Sequence, residues 1–136
     1  MPAAEQGIII LGSPLGHDEF VRAQLELKSR EHDLLLSRIP SFSDLQSARA
    51  LLLHCASSRA NCLLRVIRPD LVRHFAERHD ESIWTCLCQI LGVHNDESDA
   101  VAQTATLPLS MGGLGLRSAV RTSVPAHWAS WEDCLA

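Results

Sequence analysis

Cysteine and histidine side chains gather after the middle of the chain, where Cys86 and Cys88 follow His79 and Asp80 and precede His94. These are ligand types that zinc takes in proteins. On a helix, however, residues two apart point about 200° from each other, so the two thiols cannot readily hold one tetrahedral ion. The pattern therefore predicts a buried thiol at Cys86 rather than a zinc centre.

Other side chains capable of catalysis show no shared arrangement. His74 and His79 are five residues apart, off the i, i+4 spacing of a helical metal pair, and His79 is expected to be a satisfied core or boundary histidine. No serine or cysteine nucleophile is tied to a particular base, so a thiol- or metal-dependent enzyme is the least favoured interpretation. Trp84, Trp128 and Trp131 could stack on bases, but in a helical domain with few aromatics they are predicted to lie in the core.

Two glycine-bearing segments frame the chain. Residues 7–16 (GIIILGSPLG) predict one short strand and a turn. Because an unpaired apolar strand favours aggregation, we expect its partner strand upstream of Gly7. Residues 107–118 (LPLSMGGLGLRS) predict a glycine turn that joins two helices.

The sequence between these segments has a helical pattern. Asp18 can cap a helix that runs to about Leu36. An apolar residue recurs every seven positions at Phe20, Leu27 and Leu34, flanked by Val21, Leu25 and Leu35. The segment Ser43–Gln46 has the pattern of a capping box, and Ser57-Ser58 predicts a break before a short helix.

A long helix is expected to begin at Pro69 and to end at Gly92. Its apolar stripe comprises Val72, Phe75, Ala76, His79, Ile83, Cys86, Leu87 and Ile90. Shorter helices are predicted over residues 99–106 and from Pro125 onward. The fold class is therefore mostly α, a helical bundle with one short N-terminal β-strand and turn.

Composition limits the classes of function. With 136 residues, 46% of them hydrophobic, the chain suits one compact domain, and no apolar run approaches the length of a membrane span. Five cysteines without a secretory signal favour a reduced, intracellular protein. The net charge of −4 argues against strong nucleic-acid binding, yet residues 57–79 carry five arginines against two acidic residues, which allows a local basic surface.

The order of these segments resembles the part of a non-LTR retrotransposon reverse transcriptase that follows its catalytic palm. Leu11, Gly12, Pro14 and Gly16 match the "LG" strand end and small-Pro-small turn of the primer grip. Residues 58–65 (SRANCLLR) look like the helical thumb, and the "LP…GGLG" pattern of residues 107–115 matches the element past it. The resemblance implies three parts in one domain: residues 1–16 as primer grip, 17–106 as thumb, and 107–136 as glycine turn and final helix.

The resemblance implies that the thumb region follows an RNA–DNA or RNA template–primer duplex through Arg59, Asn61, Arg65 and Arg68. Helical spacing predicts that Asn61, Arg65 and Arg68 share one face, from which arginine forks can hold phosphates. An ordinary tight turn at residues 12–16 and a solvated arginine face are the structural alternatives.

The sequence lacks the signature of polymerase catalysis. It has no tyrosine and no two adjacent aspartates, whereas the palm of a reverse transcriptase needs carboxylates that hold two Mg²⁺ ions. We therefore expect no polymerase chemistry in this chain, with Mg²⁺ belonging only to the missing palm. The alternative is a non-enzymatic helical interaction module, or an inert remnant, whose strand at Ile8–Leu11 or helix at Trp128 and Trp131 docks on an unknown protein partner.

Overall fold

The computed structural model describes Pro2, residues 5–94 and residues 99–135. It confirms a mostly helical fold with a small β element at the N-terminus. The helices are α1 (Asp18–Leu36), α2 (Leu45–Ala50), α3 (Asn61–Val66), α4 (Pro69–Leu91), α5 (Asp99–Ala105) and α6 (Ala119–Leu135). No helix in this described part of the chain is long and apolar enough to cross a membrane.

The N-terminal element is a complete β-hairpin. Strand β1 (Gly7–Ile10) pairs antiparallel with β2 (Ser13–Gly16), in the register Ile8 to Leu15 and Ile10 to Ser13. The expectation of an upstream partner strand is therefore wrong, because the partner of β1 is the downstream strand β2. Pro14 cannot donate a hydrogen bond to the ladder, but it is tolerated in β2 because both strands of a two-stranded sheet are edge strands.

Helix α1 packs against α4 through a face that agrees with the predicted one only at Phe20, Val21 and Leu25. Its N-cap is His17, whose Nδ1 accepts a hydrogen bond from the Glu19 amide, and Asp18 lies in the first turn. Leu27 and Leu34 are exposed, so the seven-residue stripe fails after Phe20. The buried positions are Phe20, Val21, Leu25, Ser29, His32 and Leu36.

The chain between α1 and α4 winds continuously but changes helix type. Asp44, not Ser43, is the N-cap of α2, since its carboxylate accepts from the Gln46 and Ser47 amides. The predicted break at Ser57-Ser58 is a change of helix type and not an interruption, since a π-helical segment (Leu51–Ala56) passes directly into a 3₁₀ segment (Ser57–Ala60) before α3. The wide π turns keep Leu52 fully buried.

Helix α4 is the centre of the fold. It begins at Pro69 and ends at Gly92 in the left-handed conformation, as predicted. Two apolar clusters lie along it: one joins α4 to α1, α3 and α6, and the other joins it to α2, the π segment and α5. Arg78 bridges to Glu26 and Asp33 of α1 with contacts of 2.8 Å, and its hydrogen bond lowers the pKa of Glu26 below the usual value.

The glycine segment 107–118 connects α5 to α6. Leu114 and Leu116 donate backbone hydrogen bonds to the Ala105 carbonyl, which places Leu116 in the second apolar cluster. Helix α6 begins at Ala119, six residues before the predicted start, because the Ser118 hydroxyl accepts from the Arg121 amide and Asp80 of α4 accepts from the Ala119 and Val120 amides. Pro125 lies inside this helix.

Candidate nucleic-acid interface

A groove of about 190 Å³ lies beside the hairpin turn. The turn contributes Leu11, Gly12 and Ser13, helix α1 contributes Lys28 and His32, and the 3₁₀ segment contributes Arg59. Predicted primer-grip residues and one predicted thumb residue are therefore brought together from positions nearly fifty residues apart in sequence.

The turn that forms one wall of the groove has an unusual backbone. Leu11 and Gly12 both have positive φ, at 49° and 83°, as in the two-residue turns whose twist matches a hairpin. A leucine in this left-handed region is uncommon, and its side chain is 96% exposed. The turn thus presents an apolar side chain and an open backbone to solvent.

The other two primer-grip residues have structural roles. Pro14 is fully buried, and Ser13 beside it lies 3.6 Å from the Cys62 sulfur of α3, which fixes the hairpin to the helical body. A Cβ at Gly16 would overlap the Gln6 carbonyl oxygen, so glycine is required there for packing within the hairpin. Gly12 differs, because a Cβ built on it would meet open space.

The base of the groove contains two buried histidines. His32 and His79 lie with ring centroids 4.5 Å apart, and the ring nitrogens of His32 have no hydrogen-bond partner in the described structure. His79 is buried as expected and interacts with the backbone of Ser57. Burial lowers the pKa of His32 to about 4, and the neighbouring His79 and Arg59 act in the same direction. Burial also lowers the pKa of His79.

This histidine pair predicts a loss of stability in mild acid. Between pH 6.5 and about pH 4 the unfolded chain binds a proton at His32 that the folded chain excludes, so the free energy of unfolding falls as the pH falls. We expect urea unfolding at pH 5 to give a value about 1–2 kcal/mol below that at pH 7. His32→Leu should reduce this difference, whereas His74→Leu, at an exposed site on α4, should leave it unchanged. A wild-type protein equally stable at both pH values would contradict the prediction.

The predicted face of Asn61, Arg65 and Arg68 does not form. Helix α3 ends at Val66, and Ile67 is extended, with φ −88° and ψ 139°, so Arg68 precedes the next helix. Instead, the arginines contact carboxylates: Arg65 lies 3.8 Å from Asp133, and Arg68 lies 3.3 Å from Asp18 and 3.0 Å from Asp70. These neighbours compete with a phosphate for both guanidinium groups.

Arg59 is the predicted thumb cation whose charge is uncompensated. No ion pair to Arg59 forms within the described residues, and its side chain lies at the groove. Lys28 was missed by sequence reasoning, although it lies one helical turn before His32 on α1, an i, i+4 spacing that could have drawn attention to it. Lys28 lies 3.4 Å from Glu31, which lines the same groove, so this carboxylate competes with a phosphate for Lys28 as Asp133 does for Arg65.

The other chemistry considered in the sequence has structural explanations. Cys86 is buried, as predicted, and burial raises the pKa of its thiol to about 11, which makes it a poor nucleophile at neutral pH. No cluster of three or more potential metal ligands occurs within the described ranges. Of the tryptophans, Trp84 packs partly buried on the second cluster, but Trp128 and Trp131 are exposed, so their predicted place in the core is wrong.

No known protein family, no curated protein and no solved structure shows significant similarity to this chain.

Proposed function

We propose that this chain is the duplex-gripping segment of a retroelement RNA-directed DNA polymerase. The observation that best supports this role is the position of the exposed Leu11-Gly12 turn beside Arg59 and Lys28 in one groove. An open backbone next to cations is suited to a sugar–phosphate strand, because phosphate contacts position a duplex without reading its sequence. The proposed site therefore consists of the turn and these two cations, with Arg65 and Arg68 in a lesser role.

The charge of the chain limits the strength of this interaction. At a net charge of −4, long-range attraction to nucleic acid is weak, so binding depends on the few cations within a Debye length of the strand. The role we propose is positional: the chain holds the duplex, while the Mg²⁺-binding carboxylates belong to the palm. An intracellular location is part of the proposal, and it is supported by the odd number of cysteines, five, in the chain.

A fluorescence anisotropy titration with a labelled RNA–DNA hybrid tests the proposal. Arg59→Glu should weaken binding about tenfold, because it replaces attraction by repulsion at the groove. The matched control is Arg73→Glu, which makes the same change in net charge at an exposed position where Arg73 pairs with Glu77 along α4. Equal affinities of the two variants would contradict the proposal.

A second candidate function, a helical protein-interaction module, is favoured by one observation. Helix α6 exposes a continuous apolar face that includes Trp128 and Trp131, whereas the face it buries consists of Ala119, Ser123 and His127. Exposed contiguous apolar surface on a small domain commonly marks an interaction site. The duplex-binding groove and this face involve different residues and can be tested separately.

A further inference from the structure

The exposed apolar residues of α6 form one stripe along the whole helix. They are spaced four, four, three and four residues apart, and all are exposed: Val120, Val124, Trp128, Trp131 and Leu135. This spacing keeps apolar side chains on one side of a helix, as in helices that pack against a partner helix. Trp128 remains 64% exposed, although the edge of its ring contacts His127 at a ring-centroid distance of 5.6 Å.

Two opposite charges lie along the same edge of this stripe, near its two ends. Arg121 and Glu132 are eleven residues apart, which places them roughly 20° from each other around the helix axis. Within the described residues neither side chain pairs with an opposite charge, and the Arg121 guanidinium donates a 3.4 Å hydrogen bond to the Thr106 hydroxyl. Asp133 lies on another side, toward Arg65 of α3.

We propose that the α6 stripe is the interface of an antiparallel homodimer. In an antiparallel pair, one edge of a helix faces the same edge of its partner, so Arg121 of one copy faces Glu132 of the second and the reverse pair forms by symmetry. A parallel pair would bring different edges together and leave both charges unmatched. The apolar residues also fit, because Trp128 meets its own counterpart while Val124 faces Trp131 and Val120 faces Leu135.

Burial of the apolar stripe would drive dimerisation, and the charges of Arg121 and Glu132 would set the antiparallel orientation of the two helices. Two tryptophans, two valines and a leucine from each copy would leave water, and aromatic side chains are enriched at the centres of interfaces. Antiparallel alignment also brings the partial charges at opposite helix ends together favourably. This inference rests on the second candidate function and is independent of duplex binding.

Sedimentation velocity over a range of about 5–200 µM chain tests the proposal. The wild-type protein should reach twice the mass of one chain, and Trp128→Glu should return it to a monomer with unchanged circular dichroism. Leu27→Glu, at an exposed leucine on α1, is the matched control and should leave the dimer intact. A wild-type monomer throughout, or a dimer that survives Trp128→Glu, would overturn the proposal.

A charge swap tests the direction of the helices. Arg121→Glu alone should weaken the dimer about tenfold, since two attractive pairs become repulsive by symmetry. The double variant Arg121→Glu with Glu132→Arg should restore wild-type affinity, because each pair is re-formed with its signs exchanged. A double variant no stronger than Arg121→Glu alone would overturn the antiparallel arrangement, as would binding of a different protein by this face with the chain monomeric.

Discussion

Replacement of Leu52 by alanine is expected to lower the free energy of unfolding by about 3 kcal/mol. Leu52 is 0% exposed and lies in the π-helical segment, where it packs with Ile39, Ile83 and Leu87 in the second apolar cluster. Truncation removes buried methyl groups and leaves a cavity that the surrounding helices cannot fully close. Urea unfolding followed by far-UV circular dichroism measures the loss.

Leu34→Ala is the matched control for Leu52. It deletes the same atoms from a side chain that is 60% exposed on α1, so its cost should stay below about 1 kcal/mol. If Leu34→Ala proved as costly as Leu52→Ala, the structure would have assigned the wrong face of α1 to the core.

The second large effect is expected at Gly113, in the glycine segment that connects α5 to α6. A Cβ there would overlap the carbonyl oxygen of Leu107, a backbone atom that cannot rotate away. We expect Gly113→Ala to cost about 2–3 kcal/mol, because the loop must shift and the hydrogen bonds from Leu114 and Leu116 to the Ala105 carbonyl must weaken with it.

Gly112→Ala separates this overlap from backbone strain. Gly112 has a φ of 82° and open space around its Cα, so alanine should cost about 1 kcal/mol from conformation alone. Thermal unfolding of both variants gives the comparison. Equal losses of stability in the two variants would mean that overlap with Leu107 does not explain the cost of Gly113→Ala.

Features fixed by local backbone chemistry could be predicted from the sequence. Pro69 begins α4 because it needs no amide partner, and Gly92 ends it because it adopts the left-handed conformation easily. The stripe of α4 was also predicted well, since its buried positions are mostly large and apolar. In such segments a residue's own preference and its final environment agree.

Features set by distant contacts could not be predicted in this way. The buried face of α1 includes Ser29 and His32, so its apolar signal was weaker than that of the exposed Leu27 and Leu34. The start of α6 has a local cap in Ser118, which accepts a hydrogen bond from the Arg121 amide, but the second cap comes from Asp80 of α4 and depends on tertiary packing.

In the candidate groove, too, some residues could be identified from sequence motifs and others only from tertiary packing. The turn at residues 11–12 and the cation Arg59 were identified from the sequence, because each lies in a recognisable motif. Lys28 and the pair of His32 and His79 were not, since only the packing of α1 on α4 brings them to the groove. Sequence spacing also placed Arg68 on a helix that ends before it.

The most direct test of the duplex-grip proposal is the salt dependence of hybrid binding. The slope of log Kobs against log salt concentration reports how many phosphates the protein neutralises. For the double variant Lys28→Gln with Arg59→Gln we expect a slope shallower than that of the wild type by about 1–2. The double variant Arg65→Gln with Arg68→Gln, at two arginines that contact carboxylates and do not line the groove, should change the slope less. Wild-type protein that fails to bind the hybrid at low salt, or a slope unchanged by loss of Lys28 and Arg59, would contradict the account.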